Sequence, residues 1–148
     1  MDRHRHEAHV SARETAVAAL AELLRQTGAT VWRDTDRELD IPPEGLIIVG
    51  EGDPTETALL SPLRWEIDQA CDIQAIVTAE DEHVRDAALN TLLASIAALI
   101  VADRTLAGAV QWAEPGSPSF NALEADGAAK VARFSITLSF VAEGTVLS

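Results

Sequence analysis

Two stretches of the chain alternate in polarity, and they restrict its fold more than any other feature. Between Leu63 and Ala79, Trp65, Ile67, Cys71, Ile73 and Ala75 take odd positions, while Glu66, Asp68, Asp72 and Gln74 fill most of the even ones. From Val131 to Val141, Phe134, Ile136, Leu138 and Phe140 alternate with Ser135, Thr137 and Ser139. Successive side chains of a strand point to opposite faces, so each stretch predicts a long strand that is apolar on one face only. A sheet made of such strands must have that face covered. The rhythm of the first stretch breaks near Gln69 and Ala70, which predicts a bulge there.

Two helices are available as cover. Ser11 and Glu14 form a Ser-x-x-Glu capping pattern, after which Ala16, Val17, Leu20, Leu23 and Leu24 recur at helical spacing until Gly28. Asp81 caps a second segment in which Leu89, Leu92, Leu93, Ile96, Leu99 and Ile100 keep the three-four rhythm. Shorter strands are expected at Thr30–Arg33, at Leu46–Val49 before Gly50, and at Val110–Glu114 before Pro115. Glu51–Pro54 reads as a loop, and the acidic, Pro-broken run Asp34–Glu44 as a second, exposed one. The first nine residues lack an apolar period and read as a flexible, His-rich leader ahead of one domain spanning residues 10–148. The expectation is an α+β, two-layer sandwich: a mainly antiparallel or mixed sheet with two amphipathic helices packed on one face.

Charge narrows the function. Eleven basic residues stand against 24 acidic ones, a formal net charge of −13, and Lys130 is the single lysine. Tight binding to nucleic acid needs clustered cations to neutralise phosphates, and this balance opposes it. Cys71 is the only cysteine, so neither an intrachain disulfide nor a Cys-based zinc site closes within one chain, and a reducing compartment is expected. The longest apolar run, Leu92–Ala102, is shorter than the ~20 residues of a membrane span, and the N-terminus has no signal-peptide core; neither membrane insertion nor secretion is expected.

No motif commits the chain to a reaction. His4, His6 and His9 could ligate a metal but occupy the leader, and His83 falls in the first turn of a helix, where a surface position is the default. Gly50-Glu51-Gly52 follows a strand as a phosphate loop would. It lacks a third glycine and a Gly-Lys-Ser/Thr ending, and Glu51 and Asp53 put carboxylates where phosphate would sit. Carboxylates at Asp34, Asp36, Glu38, Asp40, Glu51, Asp53 and Glu56 do not match a calcium loop, and no Gly-x-Ser-x-Gly occurs. Cys71 sits on the apolar face of its strand, as a small buried hydrophobe would. No catalytic residue, metal or cofactor is expected. Charge is also unevenly spread: Asp34–Glu56 holds eight acidic residues against Arg37, whereas Leu89–Ala102 has no charged side chain. A helix so bare of charge is expected to be almost wholly covered, in part by a neighbouring subunit.

One order of elements ties these readings together. The long alternating strand (Arg64–Ala79), the Ala/Leu-rich helix (Asp81–Ala102), the turn Asp103-Arg104-Thr105-Leu106-Ala107-Gly108, the acidic-ended strand Val110–Glu114 and the final strand Phe134–Phe140 together resemble the tail terminator proteins of long-tailed phages. The resemblance is closest to those of siphophage-like prophages and gene transfer agents, and it covers nearly the whole chain. It rests on element order, hydrophobic spacing and a Thr-Leu-x-Gly turn; the His-rich leader and the acidic loop depart from it.

The resemblance implies a subunit of a homohexameric ring that caps the tail tube, ends tube polymerisation and offers the surface to which the head attaches. Its partners would be further copies of itself, the tail tube protein and a head-completion or stopper protein, met in the bacterial host cytoplasm during assembly and then in the particle. DNA would pass through the ring without tight binding, since an acidic bore repels a duplex. Glu51 and Asp53, with Glu114 behind them, are the residues expected to line that bore. Gly108, Trp112 and the segment to Pro118, with open strand edges, are expected at the heterologous subunit contact. The alternatives are another head–tail joining component, such as a stopper or minor tail protein, and a small cytosolic metal- or ligand-binding enzyme built on the Glu51–Glu56 carboxylates.

Overall fold

A computed structural model describes residues 2–33, 41–60, 63–123 and 129–143, with side chains for 12–33, 41–59, 64–121 and 129–142. The elements are α1 (Asp2–Arg25), β1 (Thr30–Arg33), β2 (Leu46–Leu60), β3 (Leu63–Thr78), α2 (Glu82–Ala102), β4 (Trp112–Pro115), β5 (Ser119–Leu123) and β6 (Ala129–Glu143). The strands form one sheet in the order β1-β2-β3-β6-β4. β1 runs parallel to β2, and the other neighbours are antiparallel. β3 pairs with the whole of β6 along one edge, so β4 and β5 share the opposite edge of β6, side by side. The chain is an α+β fold with both helices on one face of a mixed sheet.

The core lies where the period-two faces of the strands meet the period-3.6 stripes of the helices. From β3 it takes Ile67, Cys71, Ile73, Ala75 and Val77, and from β6 it takes Ala132, Ile136, Leu138, Phe140 and Ala142. Against these pack Ala16, Val17, Leu20 and Leu24 of α1, and Leu89, Leu92, Ile96 and Ile100 of α2. Each fully buried Leu or Ile contributes about 1.5–3 kcal/mol relative to leaving it in water. A smaller cluster of Leu46, Ile76 and Val131, flanked by Trp32, Ile41 and Ile48, sits apart from this core. The strand register puts Leu46, Ile76 and Val131 on the other side of the sheet.

Local chemistry sets the C-terminal end of α1 and the start of α2 where the sequence placed them. Gly28 takes φ +92° just past α1, a conformation costly for any residue with a Cβ. Asp81 caps α2, its carboxylate accepting from the His83 N–H at 2.8 Å and the Val84 N–H at 3.2 Å. The first turns of α2 are tied to β6 by Lys130 Nζ, 2.6 Å from Asp86 Oδ1.

Several expectations need correction. α1 begins at Asp2, so Ser11 lies inside a helix of 24 residues and is not its cap. No Gly or Pro interrupts residues 2–25, and nothing obliges the helix to start at the first available cap. Glu51–Pro54 is not a loop, because β2 continues through it to Leu60. The bulge is on β2, where Gly52 and Asp53 together face the single residue Ala70 of β3. Along β3 the alternation is unbroken, with Gln69 fully buried on the core face. β5 was not anticipated, since the two large apolar residues of Ser119–Leu123, Phe120 and Leu123, are three apart and do not alternate.

α2 is also not wholly covered. Only Leu89, Leu92, Ile96 and Ile100 are buried. Their i, i+3, i+7, i+11 spacing keeps one stripe on the sheet and leaves Ala94, Ala97, Ala98 and Val101 exposed. By length and composition this helix could cross a membrane, with a mean hydropathy of 1.6 over its most apolar 18 residues. The shortness of an uninterrupted apolar run therefore does not exclude a span, because Asn90, Thr91 and Ser95 are uncharged. The acidic segment 34–40 and the side chains of His4, His6 and His9 lie outside the described residues.

Candidate functional site

Even-numbered residues of β3 and odd-numbered residues of β6 share the sheet face opposite the helices. Register places Glu66 beside Val141, Asp68 beside Ser139, Ala70 beside Thr137 and Asp72 beside Ser135. On the flanking strands, Thr57 and Thr55 of β2 lie next to Glu66 and Asp68, and Glu114 of β4 lies next to Thr137. The result is a band of carboxylates and hydroxyls across four strands. Glu66, Asp68, Asp72 and Glu114 are exposed. The Ser139 hydroxyl donates to Asp68 Oδ1 at 2.6 Å, fixing one carboxylate in place. Exposed Arg64 and Arg133 lie on the same face at the two ends of the band and Arg104 pairs with Glu114, so the part that repels polyanions is its middle, from Glu66 to Asp72.

Towards β1 the face turned to the helices carries a different arrangement. Arg33 donates to both carboxylate oxygens of Glu14 on α1 and, at 3.0 Å, to Glu51 Oε1 on β2. The guanidinium bonded to Glu14 holds that carboxyl below its ordinary range, and Glu14 in turn raises the Arg33 value. At the helix-proximal edge, Lys130 lowers the Asp86 carboxyl in the same way.

The β2 bulge has its own clamp. Inserting an extra residue takes carbonyls out of the ladder. The Gln69 side chain supplies a substitute donor, its Nε2 bonding to the Gly52 carbonyl and, at 2.9 Å, to that of Ala70. Among the described residues, Gln69 Oε1 has no partner. Gly52 is required here because a Cβ would come within 3.1 Å of the Ala70 carbonyl oxygen.

The β4 edge is closed by Arg104. Its Nη1 donates to the Ala113 carbonyl at 3.0 Å and to Glu114 Oε2 at 2.8 Å, and its guanidinium stacks 4.7 Å from the centre of the Trp112 ring. Trp112 remains 48% exposed. Arg104 reaches this position from a turn in which Leu106, Ala107 and Gly108 all have positive φ, at 51°, 59° and 90°. The Asp103 carboxylate stabilises that turn by accepting from the Ala107 N–H at 2.9 Å.

The residues singled out from sequence therefore do not form one patch. Glu51 faces the helices and is paired with Arg33; Asp53 is exposed within the bulge; Glu114 and Trp112 lie three strands away on the opposite face. Sequence reasoning assigned Glu66, Asp68 and Asp72 to one face of a strand but did not see them as the centre of a surface. The signal was the alternation itself, continued in register by the hydroxyls of β6. Nothing in the sequence pointed to Glu14 with Arg33, which are 19 positions apart. Among the described residues, no group of three or more His, Cys, Asp or Glu side chains is placed to hold a metal ion.

No protein-family model matches the sequence, and no curated protein matches it. A chain in the solved structure described as "Virion of native gene transfer agent (GTA) particle" is similar to this one. The TM-score is 0.42 and the identity 14%, over 89% of this chain and 91% of that one. A likeness so loose carries no weight for function.

Proposed function

We propose that this chain is a structural subunit of a phage-like particle, a tail terminator whose copies close into a ring at the end of the tail tube. The observation that carries the reading is the acidic and hydroxylic sheet face of Glu66, Asp68, Asp72, Ser135, Thr137 and Ser139, turned away from both helices in a chain of net charge −13. Turned inward in a ring, that face gives a bore that a DNA duplex crosses without adhering, because like charge and bound water both oppose contact with phosphates. Glu51 lies off this lining, since it faces the helices and is paired with Arg33, while Asp53 is exposed at the β2 bulge. The resemblance in element order supports the same role.

Particles made without the protein test the reading. Under electron microscopy, tubes should be of uneven, excessive length and heads unattached. Tubes of wild-type length joined to heads would refute it. Binding to the end of the tube separates a terminator from a stopper, which would bind the portal-side adaptor. Because acidic copies repel one another, ring formation should also rise with ionic strength, as read by sedimentation.

A further inference from the structure

β1 pairs with β2 only from Leu46 to Val49, so among the described residues the outer side of β2 has no strand beside it from Gly50 to Leu60. An edge of that length is a template for another strand. On the far side of the sheet β4 and β5 offer only four and five residues.

Register decides which backbone groups face outward. The Gly45 carbonyl accepts from the Thr30 N–H at 3.0 Å, so at this end of β2 the odd-numbered residues bond towards β1 and the even-numbered ones towards β3. The extra residue of the bulge reverses that order. Beyond it, Pro54, Glu56, Ala58 and Leu60 turn their backbone groups to the open side. Pro54 has no N–H to offer, and a proline is tolerated there because no ladder bond is lost. Glu56, at the next outward position, is exposed, as is Asp53 in the bulge. Apart from Glu56, the run Thr55–Leu60 consists of threonine, alanine and leucine, an uncharged composition of the kind that stacks between chains.

We infer that Pro54, Glu56 and the bulge close this edge to further strands, so that copies of the chain do not join through it. Each acts on a different requirement of strand addition. Pro54 removes a donor, and the bulge bends the strand away from a straight partner. Glu56 brings like charges together: two antiparallel copies in registers centred on residue 56 or 57 would set their Glu56 side chains opposite or diagonal to one another on one face. The net charge of −13 acts over the whole surface, whereas these residues act where backbone would meet backbone. The inference goes beyond the ring reading and does not depend on it. It removes the β2 edge from the strand edges expected at a subunit contact.

Four proteins test it: the wild type, Glu56→Thr, the double variant Pro54→Thr with Glu56→Thr, and Glu80→Thr. Glu80 is exposed just past the end of β3 remote from the β2–β3 turn, and its loss removes the same charge as the loss of Glu56. Threonine is a good strand former, and far-UV circular dichroism checks that each variant folds. Thioflavin T fluorescence during incubation in one buffer reports strands stacked between chains and is silent for a ring of folded copies. The expected result is a several-fold rise for the double variant, a smaller rise for Glu56→Thr, and none for the wild type or Glu80→Thr. No rise in the double variant would overturn the inference; should that variant lose its fold, Glu56→Thr alone decides, because it leaves the backbone chemistry unchanged. An equal rise in Glu80→Thr would also overturn it, by showing that net charge and not the edge is what matters. Ring formation by the wild type is read separately by sedimentation, and none of these results alters it.

Discussion

Replacing Gln69 separates two roles that its amide plays at the β2 bulge. The side chain is fully buried and donates to the carbonyls of Gly52 and Ala70, while its own Oε1 has no partner among the described residues. In Gln69→Leu the bulge carbonyl of Gly52 loses its donor, which costs about 1–3 kcal/mol, but the orphaned Oε1 disappears too and returns part of that amount. The net loss should stay below about 2 kcal/mol. In Gln69→Glu a fully buried carboxylate would face two carbonyl oxygens. Its neutral form, with one O–H to donate, would be favoured, so the folded-state pKa would rise above the unfolded value of about 4.3. Stability contributed by that proton is complete below the unfolded pKa and is lost as pH rises towards the folded one, by up to about 1.4 kcal/mol per pH unit. Urea unfolding at pH 5.5 and 7.5 should therefore show Gln69→Glu less stable at the higher pH and below Gln69→Leu at both. A Gln69→Glu variant within about 0.5 kcal/mol of the wild type at pH 7.5 would show that the amide is not what holds the bulge.

Other expectations follow from particular contacts. Gly52→Ala should destabilise by roughly 1–3 kcal/mol in the same assay, since its Cβ meets a backbone oxygen at 3.1 Å that cannot rotate away. Arg33→Ala should let the Glu14 carboxyl rise towards its ordinary range, seen by NMR titration. The stability from that ion pair is present above the unfolded carboxylate pKa and lost as pH falls through the depressed folded value. With Glu14 52% exposed, it amounts to less than about 1 kcal/mol. Gly108→Ala should cost about 1 kcal/mol by thermal unfolding, because φ +90° is strained for a residue with a Cβ even where no atom blocks it.

The two-layer α+β plan was legible in the sequence because each of its parts is a local pattern. Period two in β3 and β6, the three-four rhythm of α2 and the Asp81 cap depend on neighbours a few residues apart, and each formed as read. Local patterns also assigned Glu66, Asp68 and Asp72 to one side of β3. Tertiary structure decided what depends on distant partners. The β2 bulge was placed on the strand opposite its sequence signal, since the polar residue that seemed to break the alternation, Gln69, is buried to cap that bulge. Glu51 falls outside the acidic face because the register of β2, opposite Cys71, turns it to the helices, where Arg33 pairs with it. Pro54 and Glu56 face the open edge only because the bulge reverses the order along β2, and register between strands is a property no single segment encodes.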